Sequence, residues 1–207
     1  MPADPQPAPA KPGPGRPRSD ARERIVAGAL EVCKRDGYAG LTTAKVAAAS
    51  GQNKGLIAYY FGSKQGLVEE VARQTGQQVS ATVLASVGAP TNAERLVRGM
   101  VDGLWTLLER DPGLQRVYFD FAAQSVVDAE VGGILAEIKA AHRALLVELL
   151  AGLPDGPRGQ DAEAIAVYLV AGLEGLALER LDRGETPALA GARELFVASA
   201  SAAIAPR

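Results

Sequence analysis

"GQNKGLIAYYFGSKQGL", residues 51–67, sets two tyrosines and a phenylalanine side by side between Lys54 and Lys64. The whole chain holds one Trp, five Tyr and four Phe, so three in a row on a basic, glycine-punctuated stretch needs a cause. The flanks supply it. Asn53 is a good N-cap for a helix ending near Phe61, and Ser63 opens a further helix that continues to about Ser86. Upstream, Thr42 caps a short helix over about Thr43–Ser50, and Gly51 ends it and supplies a sharp turn. A short helix, a glycine-opened turn and a second short helix form a helix-turn-helix, here about residues 42–61. Ile57 and Phe61, four apart, share the face that packs inward.

That leaves Lys54, Gly55, Leu56, Ala58 and Tyr59 on the outer face and first turn of the second short helix. A recognition helix enters the DNA major groove by that turn. Gly55 allows the backbone close to DNA, while Gln52, Asn53 and Lys54 offer hydrogen-bonding groups to bases or phosphates. Leu56 can touch a thymine methyl, and the hydroxyls of Tyr59 and Tyr60 can reach phosphate oxygens. Lys64 adds its charge to the free N–H groups at the start of the next helix.

Charge supports this reading. Between Lys11 and Lys64 ten Lys/Arg face four acids, whereas from Gln65 onward twelve bases face nineteen acids. A basic head on an acidic body is the footprint of a nucleic-acid-binding protein, or else an uneven solvated surface. Residues 1–19, "MPADPQPAPAKPGPGRPRS", hold seven prolines and no apolar period, and a disordered arm is expected there. Its "GRPR" carries Arg16 and Arg18, which suit either a narrow A/T-rich minor groove or a merely solubilising tail.

The remainder is helical in pattern. The first helix, about Asp20–Asp36, shows Ile25, Ala29, Val32 and Cys33 at spacings of three and four and stops at Gly37, which turns Cys33 into the core. Further helices are expected over about Ala93–Arg110, Gly113–Ser125, Asp128–Ala151, Asp161–Arg183 and Pro187–Ile204, with a loop at Gly152–Gln160. No strand-like alternation or internal repeat occurs, so the fold class is all-α. One cysteine excludes an intramolecular disulfide framework. No secretory signal is evident, and the charge-poor run Ala164–Leu178 is shorter than the ~20 residues of a membrane span. A soluble cytoplasmic protein with no membrane partner is expected.

"RERIVAGALEVCKRDGYAGLTTAKVAAASGQNKGLIAYYFGSKQGL" resembles the N-terminal domain of TetR-family transcriptional regulators, most specifically in "TTAKVA" and in "YYFGSK" followed by Leu67. The resemblance is dense over residues 20–67 and rests on helical pattern and length beyond. It implies a helix-turn-helix DNA-binding domain at 20–67 and a helical ligand-binding and dimerisation domain at 68–207. It also implies a homodimer on a palindromic double-stranded operator and a small-molecule inducer, most simply for a repressor. Position by position it implies phosphate contacts from Thr42, Tyr60 and Lys64, with Thr43 and Lys45 beside them, and base contacts from the first turn after Asn53. Two positions depart from the family pattern: Gln52, where a buried Val or Ile is usual, and Ala58, where a larger side chain is common.

Helix Asp161–Arg183 is apolar nearly all round from Ala164 to Leu178 and carries small residues at Ala171, Gly172, Gly175 and Ala177. The last helix adds Ala192, Ser199 and Ala203. Such seams allow close pairing, and the resemblance implies an intersubunit four-helix bundle, although burial within one subunit would serve the same residues. Trp105, Tyr118, Phe121, Gln124 and Tyr168 lie on helices expected to surround a pocket. Glu174, a carboxylate among apolar neighbours, should pair with Arg143 or another base, or else meet a ligand. His142, the only histidine, has no catalytic or metal-spaced company and reads as a packing or surface residue. No enzyme activity, metal or cofactor is expected. The competing reading is an all-α small-molecule-binding protein or enzyme whose helix-turn-helix is only a packing motif.

Overall fold

The computed structural model describes residues 18–154 and 156–205, with side chains from Asp20 onward. They form α1 (Arg18–Asp36), α2 (Thr43–Ser50), α3 (Lys54–Phe61), α4 (Lys64–Val87), α5 (Ala93–Arg110), α6 (Pro112–Gln124), α7 (Ala129–Gly152), α8 (Gly159–Arg183) and α9 (Pro187–Ile204). Among the described residues there is no strand. The all-α expectation holds, with small shifts at helix ends. α1 starts at Arg18, two residues before the expected Asp20 and inside the stretch expected to be an arm. α6 starts at Pro112 rather than Gly113, because proline is well suited to the first helical turn, where its missing N–H is not needed.

The short helices begin where their capping side chains dictate. Thr42, Asn53 and Ser63 each accept a hydrogen bond from the backbone N–H three residues on, which starts α2, α3 and α4. Between them the chain reverses at Gly51 and Gly62, both at positive φ (66° and 70°), where a side chain would be strained. Asn92 caps α5, its side chain accepting from the Arg95 N–H.

Two apolar clusters organise the molecule. The first contains Ile25, Val46, Ile57 and Leu67 from the head, but also Leu114, Val117, Phe121 and Leu135 from α6 and α7. The second joins α5, α7, α8 and α9 around Leu96, Leu150, Leu169 and Phe196. The head is therefore seated on the body rather than tethered to it. Lys34 Nζ lies 2.7 Å from Asp111 Oδ2, the Tyr38 backbone N–H donates to the Asp120 carboxylate, and the Tyr38 ring stands edge-on to Phe121. Cys33 is 3 % exposed, and burial pushes its thiol up to about 12.

α4 belongs to both halves. Its first turns place Leu67, Val68 and Val71 in the head's core, and its second half packs along α5. That approach is close: a Cβ added at Gly103 would lie 2.6 Å from the Val83 carbonyl oxygen. Any larger residue there would separate the two helices.

Candidate functional site

Two surfaces carry the polar chemistry. The first is the exposed side of α2, α3 and the start of α4. Lys54, Gly55 and Lys64 are exposed, and neither lysine forms an ion pair among the described residues. Tyr59 is 69 % exposed, its ring edge-on to Tyr60 at 5.2 Å. Thr42 is exposed beside the half-buried Thr43. Ile57 is fully buried, and Phe61 packs against the core with the Arg22 guanidinium 5.4 Å above its ring.

Other residues of this surface are already engaged. The Asn53 side chain accepts from Leu56 N at 2.8 Å, so its oxygen serves the helix start. Gln52 folds back, its Nε2 donating to the Ser50 carbonyl at 3.4 Å, rather than reaching outward. Leu56 is half-buried against the core beside the fully buried Ile57, not free on the outer face. Tyr60 is half-buried against the same core. Lys45 sits 2.8 Å from Asp36, whose carboxyl is held well below its usual range by Arg35 and Lys45. Arg16 and the side chain of Arg18 lie outside the described residues.

The second surface is a small cleft of about 90 Å³, partly open to solvent, between α4, α5, α6, α7 and α8. Its walls are mostly apolar, including Val83, Met100, Leu104, Leu146, Val170 and Leu173. One end is polar: Gln115, Tyr118, His142 and Glu174. The Tyr118 hydroxyl donates to Glu174 Oε1 at 2.7 Å, and Lys139 Nζ lies 3.4 Å from both oxygens of the same carboxylate. Burial, and then the Glu174 charge, pushes the Tyr118 phenol far above its ordinary range. Burial lowers the His142 pKa, opposed by a backbone hydrogen bond with Gly76 and by Glu174. His142, Leu145, Ser80 and Leu84 also line a neighbouring groove between α4 and α7, so they form the partition between the two spaces.

Of the expected pocket residues, Tyr118 and Glu174 line the cleft and four do not. Trp105 is buried in the second cluster, its indole N–H donating to Glu185 Oε2 at 2.8 Å and its ring under Arg193. Phe121, one turn past Tyr118, rotates into the head's core. Gln124 ends α6 two turns beyond the cleft. Tyr168 faces outward and meets Ser199 Oγ at 2.9 Å, since Ala166 and Leu169 take the inward side of α8. Glu174 pairs with Lys139, one turn before Arg143 on α7, which reaches it first.

Three polar cleft residues, Ser80, Gln115 and His142, were missed. Gln115 lies three residues before Tyr118, the spacing that shares a helix face, and it is a polar residue amid buried neighbours. His142 lines the cleft rather than acting as filler, and a single histidine in a helix gives no local sign of that.

Comparison with known proteins decides the family. The description "Bacterial regulatory proteins, tetR family" matches residues 25–71, and "BetI-type transcriptional repressor, C-terminal" matches residues 90–205, more than half the chain. The chain belongs to the TetR family. It is a DNA-binding transcriptional regulator with a helix-turn-helix, and its C-terminal region is of BetI type. The HTH-type transcriptional regulator BetI of Vibrio campbellii is 26 % identical over 175 residues, covering 72 % of this chain and 87 % of that protein. BetI of Vibrio atlanticus is 26 % identical over 157 residues, covering 75 % and 77 %. Among solved structures, the multidrug binding protein EbrR complexed with imidazole superposes on this TetR-family chain with a TM-score of 0.68 at 25 % identity, over 96 % of this chain and 98 % of that one. A TetR transcription regulator from Haloarcula marismortui gives a TM-score of 0.71 at 18 % identity, over 90 % and 98 %, a likeness of fold alone. Among the described residues no helix is long and apolar enough to cross a membrane.

Proposed function

We propose that this regulator is a cytoplasmic homodimeric repressor, released from a palindromic operator by a small molecule bound in the cleft. In this reading residues 20–67 form the DNA-binding head, 68–207 the ligand-binding and dimerisation body, and 1–19 an arm. Lys54 and Gly55 meet base edges, with Thr42, Tyr59, Tyr60 and Lys64 on phosphates.

One observation carries the ligand response: the helices that line the cleft also build the head's core. α4 gives Val68 and Val71 to the head and Val83 and Leu84 to the cleft. α6 gives Val117 and Phe121 to the head and Gln115 and Tyr118 to the cleft. A molecule wedged in the cleft must displace walls that are also head supports. Two heads bind one face of a duplex only when their recognition helices stand about 34–36 Å apart, or a multiple of it, so small displacements matter. The ligand shifts the population only by its preference for the DNA-incompetent state. EbrR, as a multidrug binding protein of the same fold, supports a small-molecule site here.

The dimer surface in this reading is an uncovered stripe. On α8, Val167, Tyr168, Ala171, Gly175 and Leu178 are all exposed at helical spacing, and on α9 Leu195 is 73 % exposed. Apolar side chains aligned like this call for a partner. Gly172 and Ala177 do not belong to the stripe. Ala177 is fully buried, and Gly172 makes room for Phe196 of the same chain, whose ring a Cβ would meet at 2.2 Å.

The test is reciprocity. Once any inducer is found by loss of a gel shift, its affinity is measured by calorimetry with and without operator. Operator must weaken inducer binding by the same factor as inducer weakens operator binding. Identical ligand affinities in the two titrations, alongside real induction, would overturn the mechanism.

A further inference from the structure

We propose that the cleft takes a neutral, largely apolar molecule carrying one hydrogen-bond donor, an O–H or N–H directed at the carbonyl oxygen of Gln115. This rests on the reading of the cleft as a ligand site and names the chemistry that would fill it.

Polar groups at the closed end differ in what they have left to offer. The Glu174 carboxylate is engaged by the Tyr118 hydroxyl and by Lys139. An entering cation would have to displace that ammonium, and Arg143 stands close enough to act electrostatically on both Tyr118 and His142. Counted together, Lys139, Arg143 and Glu174 leave no negative excess to hold a positive charge. An entering anion would meet Glu174 itself. Charged ligands of either sign are therefore disfavoured in a mostly apolar space that strips their water.

Gln115 is the group left over. Its side chain is 2 % exposed, and its Oε1 has no hydrogen-bond partner. A buried carbonyl without a donor is costly, and such groups are normally satisfied by protein, water or ligand. His142 points the same way. Its ring hydrogen-bonds the Gly76 backbone, and in the neutral form the second ring nitrogen is an acceptor. The buried Gln115 Oε1 and the second His142 nitrogen are both acceptors, so the ligand group that satisfies them is a donor. Ser80 apart, the remaining walls offer only contact area, so most of the ligand is apolar.

Four biphenyl probes of matched size test this by calorimetry on the full chain: biphenyl-4-ol, 4-methoxybiphenyl, biphenyl-4-carboxylate and (biphenyl-4-yl)trimethylammonium. The phenol is expected to bind about tenfold more tightly than the ether, and both charged probes more weakly than the phenol. Gln115→Leu should abolish the phenol-over-ether ratio. An ether as tight as the phenol, a charged probe that binds best, or a ratio that survives Gln115→Leu would overturn the proposal and leave the cleft a ligand site of other specificity. Binding of none of the four at millimolar concentration would overturn both the proposal and the cleft's role. Should Gln115→Leu fail to fold, the ranking of the four probes on the native chain still decides.

Discussion

α3 and the cleft-facing side of α6 each present polar side chains, but in opposite circumstances. On α3 the groups stand in water at the end of a short capped helix: Lys54 and Tyr59 are exposed, and Asn53 fixes the backbone beneath them. On α6 they are buried among apolar walls, with Glu174 from far along the chain as partner for Tyr118 and none for Gln115 Oε1. An exposed group costs little until a partner arrives, so its position is set by backbone geometry alone. A buried group has its price fixed at folding, so its surroundings must be built around it. What links the two is α6 itself, with one side in the head's core and the other in the cleft.

The largest expected effect breaks that link. Phe121→Ala should destabilise the protein by about 3–5 kcal/mol, since the ring is fully buried where head and body share a core. Calorimetric unfolding should then separate into two transitions, head before body. A single transition, merely shifted, would mean that α4 alone holds the halves together.

Next in size are the two exposed lysines. Lys54→Ala should cost about 1–3 kcal/mol on the preferred operator and change the ranking of operator variants. Lys64→Ala should weaken all sequences alike and lower the salt slope by about one unit. Gel shifts on an operator series at several salt concentrations distinguish them. If Lys64→Ala altered the ranking and Lys54→Ala did not, the roles would be reversed. Removing the cap beneath them is milder. Asn53→Ala should cost about 1 kcal/mol of stability, read from the denaturation midpoint, with the cleft's ligand affinity unaffected.

The smallest effect belongs to the cleft. The folded-state pKa of His142 lies below its ordinary 6.5, so the unfolded chain takes up the proton first on acidification. Its contribution is complete above 6.5 and is lost as pH falls from there toward the folded value. Glu174 on α8 opposes this lowering, and Lys139 and Arg143 on α7 favour it. The Tm difference between the native chain and His142→Gln should narrow over that window. A difference independent of pH would show that His142 does not titrate differently on folding.

This contrast also accounts for what the sequence disclosed. Thr42, Asn53 and Ser63 are followed within three residues by the N–H groups they cap, so the helix starts of the head were legible from neighbours alone. The apolar period carried the later helices, and Pro112 moved one start by a residue. Long-range facts were not legible. Glu174 announced itself as a misfit, yet its choice of Lys139 over Arg143 depends on how α7 and α8 pack. Trp105 and Phe121 looked like lining because aromatics do line pockets, but helix rotation sent one to Glu185 and the other to Tyr38. Gln52 read as a group offered to DNA, but its amide turns back onto the Ser50 carbonyl.

Cys33 has a practical consequence. With its thiol buried and kept protonated by that burial, Cys33 offers a reagent neither access nor thiolate. The protein's one native sulfhydryl should thus ignore maleimides and mild oxidants. A cysteine introduced on the exposed side of α2, for example Ala44→Cys, would be the sole labelling site on each chain. Paired spin labels or fluorophores there would turn the distance between two heads into a spectroscopic ruler without any need to remove a native residue first.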